Sequence, residues 1–275
     1  MGYNPPVPDT NPIVSQIHVY PVKSLGGLAL PESPVESRGL EHDRRWMLVD
    51  AAGRFLTQRE WPRMALVSVA LAPGGLLLSA PGVEPLRVPF EPKAPARRLT
   101  VQVWRSVCEA APVGEEADGW FAEFLGVPCR LVYMPDETRR AVNPDHSAGE
   151  GIVSFADGYP LLLLGEASLA DLNARLARPV TMDRFRPNLV VSGAPPYAED
   201  GWKRVRIGGA LFQAAKPCAR CGLITVDQDA GEVSGSEPLR TLAAYRRRDG
   251  KVLFGQLLIP LEMGAVRVGD AVELP

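Results

Sequence analysis

Short apolar runs separated by glycine and proline make up most of the chain, a pattern of strands more than of helices. Residues 13–22 mix apolar and polar positions with a β-branched bias and run into the turn Pro21-Val22-Lys23-Ser24-Leu25-Gly26-Gly27. The strand-like runs 41–50 and 54–57 flank Gly53 and read as a hairpin. Residues 65–71 alternate again, and Pro73-Gly74-Gly75, Pro81-Gly82 and Pro89 divide further short strands up to Val103. The N-terminal part therefore reads as all-β and barrel-like. The period changes at 118–125, where Trp120, Phe121, Phe124 and Leu125 form one apolar face at helical spacing behind Asp118 as N-cap.

Residues 129–134 return to a strand, and 135–151 are polar, charged and broken by Gly and Pro, with His146 among them. A domain boundary is expected near residue 135. Beyond it come an apolar run at 161–164, a helical pattern at 166–176, the segment Asp183-Arg184-Phe185-Arg186-Pro187-Asn188, and a strand at 189–191. Strands and Gly turns follow, then a short helix at 238–245 and strands to the end. The pattern predicts a mainly β (α+β) protein of two units, 13–134 and 135–275, with a few short helices.

Composition narrows the function without naming it. The chain has 275 residues, 46% hydrophobic and 23% charged, which is ordinary for a globular protein. A net charge of -2 with no basic block argues against nucleic acid as a partner. No apolar run approaches the roughly 18 residues of a membrane span, so no membrane role is expected. The Pro-rich start lacks the basic and apolar regions of a signal peptide, and four cysteines suit a reducing cytoplasm better than a disulfide framework.

Candidate chemistry centres on Lys216-Pro217-Cys218-Ala219-Arg220-Cys221-Gly222, where Lys216 and Arg220 favour a thiolate and Pro217 and Gly222 suggest a turn presenting one sulfur. A Cys-x-x-Cys is commonly half a zinc site, but Cys108 and Cys129 stand alone and the three histidines lack ligand spacing. Haem attachment needs His where Gly222 stands, and a thioredoxin-like dithiol needs a following helix, whereas 223–226 is strand-like. One sulfur as a single ligand to a large cofactor fits better. Lys23, Ser24 and the adjacent glycines make an anion site or a solvated turn. His42, Asp43 and Arg44 form a ligand site or a wet edge. Arg186 and Asn188, two apart on an extended segment, would face the same way.

Five motifs occur in order: Val19-Tyr20-Pro21-Val22-Lys23-Ser24, Asp43-Arg44-Arg45-Trp46, Phe155-Ala156-Asp157-Gly158-Tyr159-Pro160, Phe185-Arg186-Pro187-Asn188, and Cys218-Ala219-Arg220-Cys221 leading to Thr225-Val226-Asp227. In these the chain resembles MOSC-domain proteins, and specifically the mitochondrial amidoxime-reducing components and their bacterial relatives. The resemblance implies a MOSC N-terminal β-barrel-like domain joined to a β-barrel MOSC domain, with molybdenum cofactor (Mo-molybdopterin) between them. It makes Cys221 the molybdenum ligand, a soft thiolate beside the dithiolene sulfurs. Lys23, Ser24 and Arg44 match positions that bind the cofactor's phosphate and pterin, Arg186 and Asn188 match others, and Asp157 matches a cofactor-contacting segment. Tyr159 stands where family members carry a serine.

The function so implied is reduction of a small-molecule N-oxygenated substrate. Neither a G-x-G-x-x-G fingerprint nor clustered cysteines for an iron-sulfur centre are present, and no fused ferredoxin domain is expected. Electrons are therefore expected from a separate electron-transfer protein, a ferredoxin, b-type cytochrome or flavoprotein. The alternative is a cofactor carrier or a persulfide sulfur-transfer module. Asp227 is either a catalytic, proton-handling carboxylate or an exposed aspartate at a strand end.

Overall fold

The computed structural model describes residues 11–92, 98–143 and 151–275, so His146 lies outside the described residues. Strands dominate, as the pattern predicts, with α-helices at Glu115–Leu125, Glu166–Asn173 and Leu239–Tyr245. Among the described residues no helix is long and apolar enough to cross a membrane.

The largest sheet has nine strands. Its path runs through Leu28–Leu30, Ile13–Val19, Leu189–Ser192, Leu161–Gly165, Lys251–Glu262, Ala210–Arg220, Arg204–Ile207 and Val272–Glu273, with Arg247–Arg248 also pairing on Lys251–Glu262. Near its two ends, Ile13 bridges Ala271 and the Val272 N–H donates to the Pro12 carbonyl at 2.7 Å, so the sheet curls back on itself. Alternate inward residues such as Ile17, Leu163, Leu189, Ile207, Phe212 and Leu258 fill the interior. Leu161–Gly165 and Leu189–Ser192 are parallel, and the helix Glu166–Asn173 lies in the long crossover that such a pair requires.

Residues 46–134 enclose a second core around Trp46, Leu48, Met64, Leu76, Phe121 and Leu131. One wall is the four-stranded order Trp46–Val49, Arg130–Tyr133, Ser106–Pro112, Leu99–Val103, and another is the meander Ser68–Ala72, Gly75–Ala80, Val83–Pro89. The helix here begins earlier than its sequence suggests: Gly114 is the N-cap, and Asp118 lies in the first turn, accepting the Leu131 N–H at 2.8 Å. Acidic side chains in that turn suit the positive end of the helix dipole.

The division at residue 135 follows chain order, but strand pairing crosses it. Ile13–Val19 and Leu28–Leu30 extend the sheet of the second half, and Glu32–Glu36 pairs with Gly264–Arg267. Val22 and Leu25 dip into the second core, and after Leu40 the chain enters it for good. This threading brings 20–24 and 43–46 to the seam between the cores, against 155–157: the Arg44 N–H donates to Tyr20 O at 2.8 Å and the Phe155 N–H to Arg44 O at 2.9 Å.

Candidate cofactor site

At that seam three of the five motifs form a polar floor around Asp43. The buried Asp43 carboxylate accepts the Tyr20 N–H at 2.9 Å, the Asn188 amide at 3.0 Å and both oxygens' worth of Arg44 Nη1, at 2.8 and 2.7 Å. Burial pushes the Asp43 carboxyl up, and Arg44 and these hydrogen bonds pull against it. Arg44 also donates to Asn188 Oδ1 at 3.0 Å and to the Arg186 carbonyl at 3.2 Å. The Tyr20 ring is sandwiched between guanidinium groups, with Arg44 Cζ 4.3 Å and Arg186 Cζ 4.2 Å from its centroid. Desolvation pushes the Tyr20 hydroxyl up to about 12 against the pull of Arg186 and Arg44. The ring therefore stays neutral and serves as a cation-binding surface.

The floor is strained into shape. Ser24, His42, Arg44 and Arg186 all have positive φ, at 65°, 63°, 48° and 55°. Such residues cost on the order of 1–3 kcal/mol each and concentrate where a site needs a side chain aimed against the backbone's preference. Arg186 is thus not on an extended segment, as its sequence suggests; it ends the 3-10 turn Met182–Phe185 in the left-handed conformation. Arg186 and Asn188 still line one cavity, of about 300 Å³.

Five cations, Lys23, Arg44, Arg186, Lys216 and Arg220, line this cavity against the single carboxylate of Asp157. Lys23 is buried and donates to Phe155 O at 2.8 Å and Asp157 Oδ1 at 2.5 Å. Burial lowers the Lys23 pKa, with Asp157 opposing. Desolvation would raise Asp157, but the Lys23 charge and hydrogen bond outweigh it and hold this carboxyl below the usual range. Arg140 fixes the loop from below, donating to Ser154 O at 2.7 Å, Ala156 O at 2.5 Å and Asp157 O at 2.6 Å. Ser24 is buried at the same wall.

The opposite edge carries the thiols. The strand Ala210–Arg220 runs through Cys218 rather than turning before it, and at the register shift between Pro217 and Ala219 Cys218 lies opposite a bulge of the partner strand, where Gly255 and Phe254 face it. Cys221 lies just past the strand as N-cap of the 3-10 turn Gly222–Thr225, so 223–225 are not a strand. Both sulfurs border the cavity, but Cys221 is exposed and Cys218 half-buried, and burial pushes the Cys218 thiol up. Between them Arg220 reaches inward, donating to Phe254 O at 2.8 Å and Phe185 O at 3.0 Å.

A group with anionic and sulfur chemistry fits this lining. Arg186 Nη2 and Arg220 Nη2 are buried without a partner, and an unsatisfied buried guanidinium donor is costly unless a ligand completes it. Among the described residues no three His, Cys, Asp or Glu side chains form a metal cage, so a metal on Cys221 would take its other ligands from a bound group.

Lys23, Ser24, Arg44, Asp157, Arg186, Asn188 and Cys221 are therefore brought together. Asp227 is not: it does not line the cavity, and its carboxylate takes Arg184 Nη2 at 2.6 Å and the N–H groups of Asp229 and Ala230 at 3.1 and 3.0 Å. That carboxylate closes a turn. Gly26 and Gly27 also stand apart from the cavity: the Gly26 N–H donates to Val67 O at 3.0 Å, and a Cβ on Gly27 would lie 2.4 Å from the Tyr20 ring. They allow close packing beneath Tyr20 rather than cradling an anion. His42 stacks on Phe90 at 4.2 Å, while Asp43 and Arg44 are the floor itself. Tyr20 and Arg140 are the residues that spacing alone did not single out, and Arg220 counted there only as a charge beside the thiols.

Comparison with known proteins gives the family. Residues 11–128 match the MOSC N-terminal beta barrel domain and 150–273 the MOSC domain. Mitochondrial amidoxime-reducing component 1 of Mus musculus is 37% identical over 95% of this chain and 82% of its own length. Mitochondrial amidoxime reducing component 2 of Rattus norvegicus is 35% identical over 94% of this chain and 82% of its own. Molybdenum cofactor sulfurase of Solanum lycopersicum is 36% identical over 89% of this chain, which spans 33% of that longer protein.

Proposed function

The chain belongs to the family of MOSC-domain proteins that includes the amidoxime-reducing components, and from that premise we propose that it is a molybdenum-cofactor-dependent reductase of N-hydroxylated compounds. One observation carries the reading: an exposed thiol, Cys221, stands at the rim of a cavity whose buried Arg186 and Arg220 each leave a guanidinium nitrogen unpartnered. Bound there, the cofactor would supply a two-electron redox centre for cleavage of an N–O bond. The overall reaction adds two electrons and two protons to an N-hydroxylated compound and gives the amine and water.

The chain's own residues hold and orient. Arg186 and Arg220 offer donors to the phosphate and pterin, with Lys23 and Ser24 on the facing wall. Asp157, ionised against Lys23, accepts from an amino or N–H edge. Arg44 acts mainly by fixing Arg186 and Tyr20, and Asn188 by holding Arg44, Asp43 and the His18 carbonyl. Cys221 contributes the thiolate ligand, and Cys218, kept protonated by burial, braces the bulge. Electrons come from a separate ferredoxin, b-type cytochrome or flavoprotein, and four free cysteines suit a reducing compartment such as the cytoplasm.

The likeness to the sulfurase favours a second reading, in which Cys221 carries a persulfide or the protein hands on cofactor. Protein purified from a molybdenum-replete host separates the two. The reductase reading expects near-stoichiometric molybdenum and pterin, and turnover of benzamidoxime with reduced methyl viologen but not with NADH alone. Metal-free protein with a persulfide on Cys221 and no turnover would overturn it in favour of the carrier.

A further inference from the structure

A second cavity, of about 470 Å³, adjoins the strand end that carries the thiols, and Ala219 and Arg220 line both it and the cofactor cavity. Its lining holds four cations, Arg220, Arg240, Arg247 and Lys251, and no carboxylate. Strand pairing puts it there. Val252 pairs with Arg220 on one side and with Arg247 on the other. The row Arg247, Val252, Arg220 crosses two strand spacings, roughly 10 Å, and the residue that follows Arg220 is Cys221.

The hairpin that begins this row is built to display charge. Arg247–Arg248 pairs with Lys251–Glu262 around a two-residue turn in which Asp249 and Gly250 have φ of 49° and 74°, as a tight turn between twisted strands requires. In that register Arg248 stands directly opposite Lys251, and like charges so placed cost stability. Residues 236–251 hold five cations and two carboxylates in a chain whose net charge is -2. Arg240 is paired with Glu237 at 2.7 Å and Arg246 with Asp200 at 2.6 Å. Arg247, Arg248 and Lys251 are exposed and, among the described residues, make no ion pair. Setting three unpaired cations together gains the fold nothing, and it makes a local positive field beside the thiol edge.

We propose that this face, with Arg247, Arg248 and Lys251 at its centre, is where an acidic electron-transfer protein docks to reduce the bound cofactor. The inference rests on the reductase reading for the need of such a protein, but the face is a matter of binding and is tested separately from it. Carboxylates around the carrier's redox centre pair with the three free cations, which steer it onto a basic face of a slightly acidic chain. Electrons then enter along the row Arg247, Val252, Arg220, at the edge where Cys221 stands. Two one-electron transfers oxidise two carrier molecules and supply the electron pair that the N-hydroxylated compound takes up with two protons from water. A lipid surface fits this face less well, because the tip Arg248-Asp249-Gly250-Lys251 has no apolar side chain to insert.

The probe is a plant-type ferredoxin, a one-electron carrier of strongly negative charge. Its affinity for the molybdenum-loaded protein, measured by calorimetric titration, should weaken at least about tenfold between about 0.01 M and about 0.15 M salt, where the screening length shortens from about 30 Å to about 8 Å. In Arg248→Glu with Lys251→Glu, affinity at low salt should fall more than about tenfold. The same charge change in Arg87→Glu with Arg130→Glu, at exposed cations that line neither cavity, should lower it less than about threefold. Arg248→Gln with Lys251→Gln, which removes charge without reversing it, should give an intermediate loss. Turnover driven by reduced ferredoxin should fall with the affinity, and turnover driven by reduced methyl viologen should not. Ferredoxin binding that depends on salt and on the hairpin, without turnover from either donor, would keep the docking face and sink the reductase. Viologen-driven turnover with no ferredoxin binding, or with binding weakened equally by both pairs of Glu substitutions, would keep the reductase and overturn the face. Binding to phosphatidylglycerol vesicles in place of ferredoxin, lost in Arg248→Glu with Lys251→Glu, also overturns it, in favour of a lipid surface.

Discussion

The two sides of the cofactor cavity are built on opposite principles. The floor of Tyr20, Asp43, Arg44, Arg186 and Asn188 is buried and hydrogen-bonded into one network, with Arg44 and Arg186 held in strained backbone. The thiol edge is a strand end set against a bulge, where Cys221 is exposed and Cys218 has only a weak 3.9 Å contact with its neighbour's carbonyl. The floor is preorganised for recognition: its residues satisfy one another before any ligand arrives, except for Arg186 Nη2, the donor left over. The edge leaves a sulfur open to make a bond. A substitution on the floor should therefore be felt first in folding and occupancy, and one at the edge first in chemistry.

The largest effect expected of that contrast is at Cys221. Cys221→Ser should reduce turnover by more than about a hundredfold even where cofactor stays bound, because a hard oxygen replaces a soft thiolate next to the metal. Cys218→Ser should retain most activity, since its thiol is kept neutral by burial and only braces the bulge. Turnover and molybdenum content of the two variants, measured side by side, decide it. Equal losses would point to a dithiol, and an active Cys221→Ser enzyme would sink the ligand assignment.

On the floor the expected effect is thermodynamic. Arg44→Ala leaves Asp43, whose side chain is 1% exposed, without its ion pair, and removing one partner of such a pair costs about 3 kcal/mol. Urea unfolding should show that loss, and adding Asp43→Asn to Arg44→Ala should recover part of it by removing the uncompensated charge. A single-variant loss below about 1 kcal/mol, or no recovery in the double variant, would show that the floor is not one electrostatic unit. Family resemblance alone suggested a direct cofactor contact for Arg44; the geometry makes it first a support for Arg186.

How much of this was legible in the sequence depended on what each residue signals by itself. Lys23, Ser24, Arg186 and Cys221 were visible because charged, hydroxyl or thiol groups at turns and strand ends are seldom needed for packing. Tyr20 was hidden, since a tyrosine in a β-branched run reads as strand core, and its role depends on two arginines more than 20 and 160 positions away. Arg220 was hidden inside the Cys-x-x-Cys, where it counted only as a nearby charge. Gly26-Gly27 and Asp227 misled for the same reason: backbone N–H groups and carboxylates look alike in sequence whether they serve a ligand or a turn. The two-core architecture was legible from strand punctuation, but not the pairing of 13–36 with the second half, because strand order is set by long-range partners.

The smallest effect, and the finest test of the contrast, lies where the two sides meet at Asp157. Its folded pKa is depressed because the Lys23 charge outweighs desolvation, so it should stabilise the fold above the unfolded carboxyl's value of about 3.9 and lose that contribution as pH falls toward the folded value. Wild-type protein should therefore be more stable than Asp157→Asn at pH 7, by less than about 1 kcal/mol because the carboxylate side chain is 65% exposed and solvent screens the pair. The gap should narrow steadily below about pH 4, as protonation of the unfolded wild-type carboxyl removes the difference. Thermal melts of both proteins from pH 7 down to pH 2.5 measure it. A gap that stays constant over that range would mean that Asp157 holds its loop through shape and through Arg140, with the Lys23 pair adding nothing to the folded state.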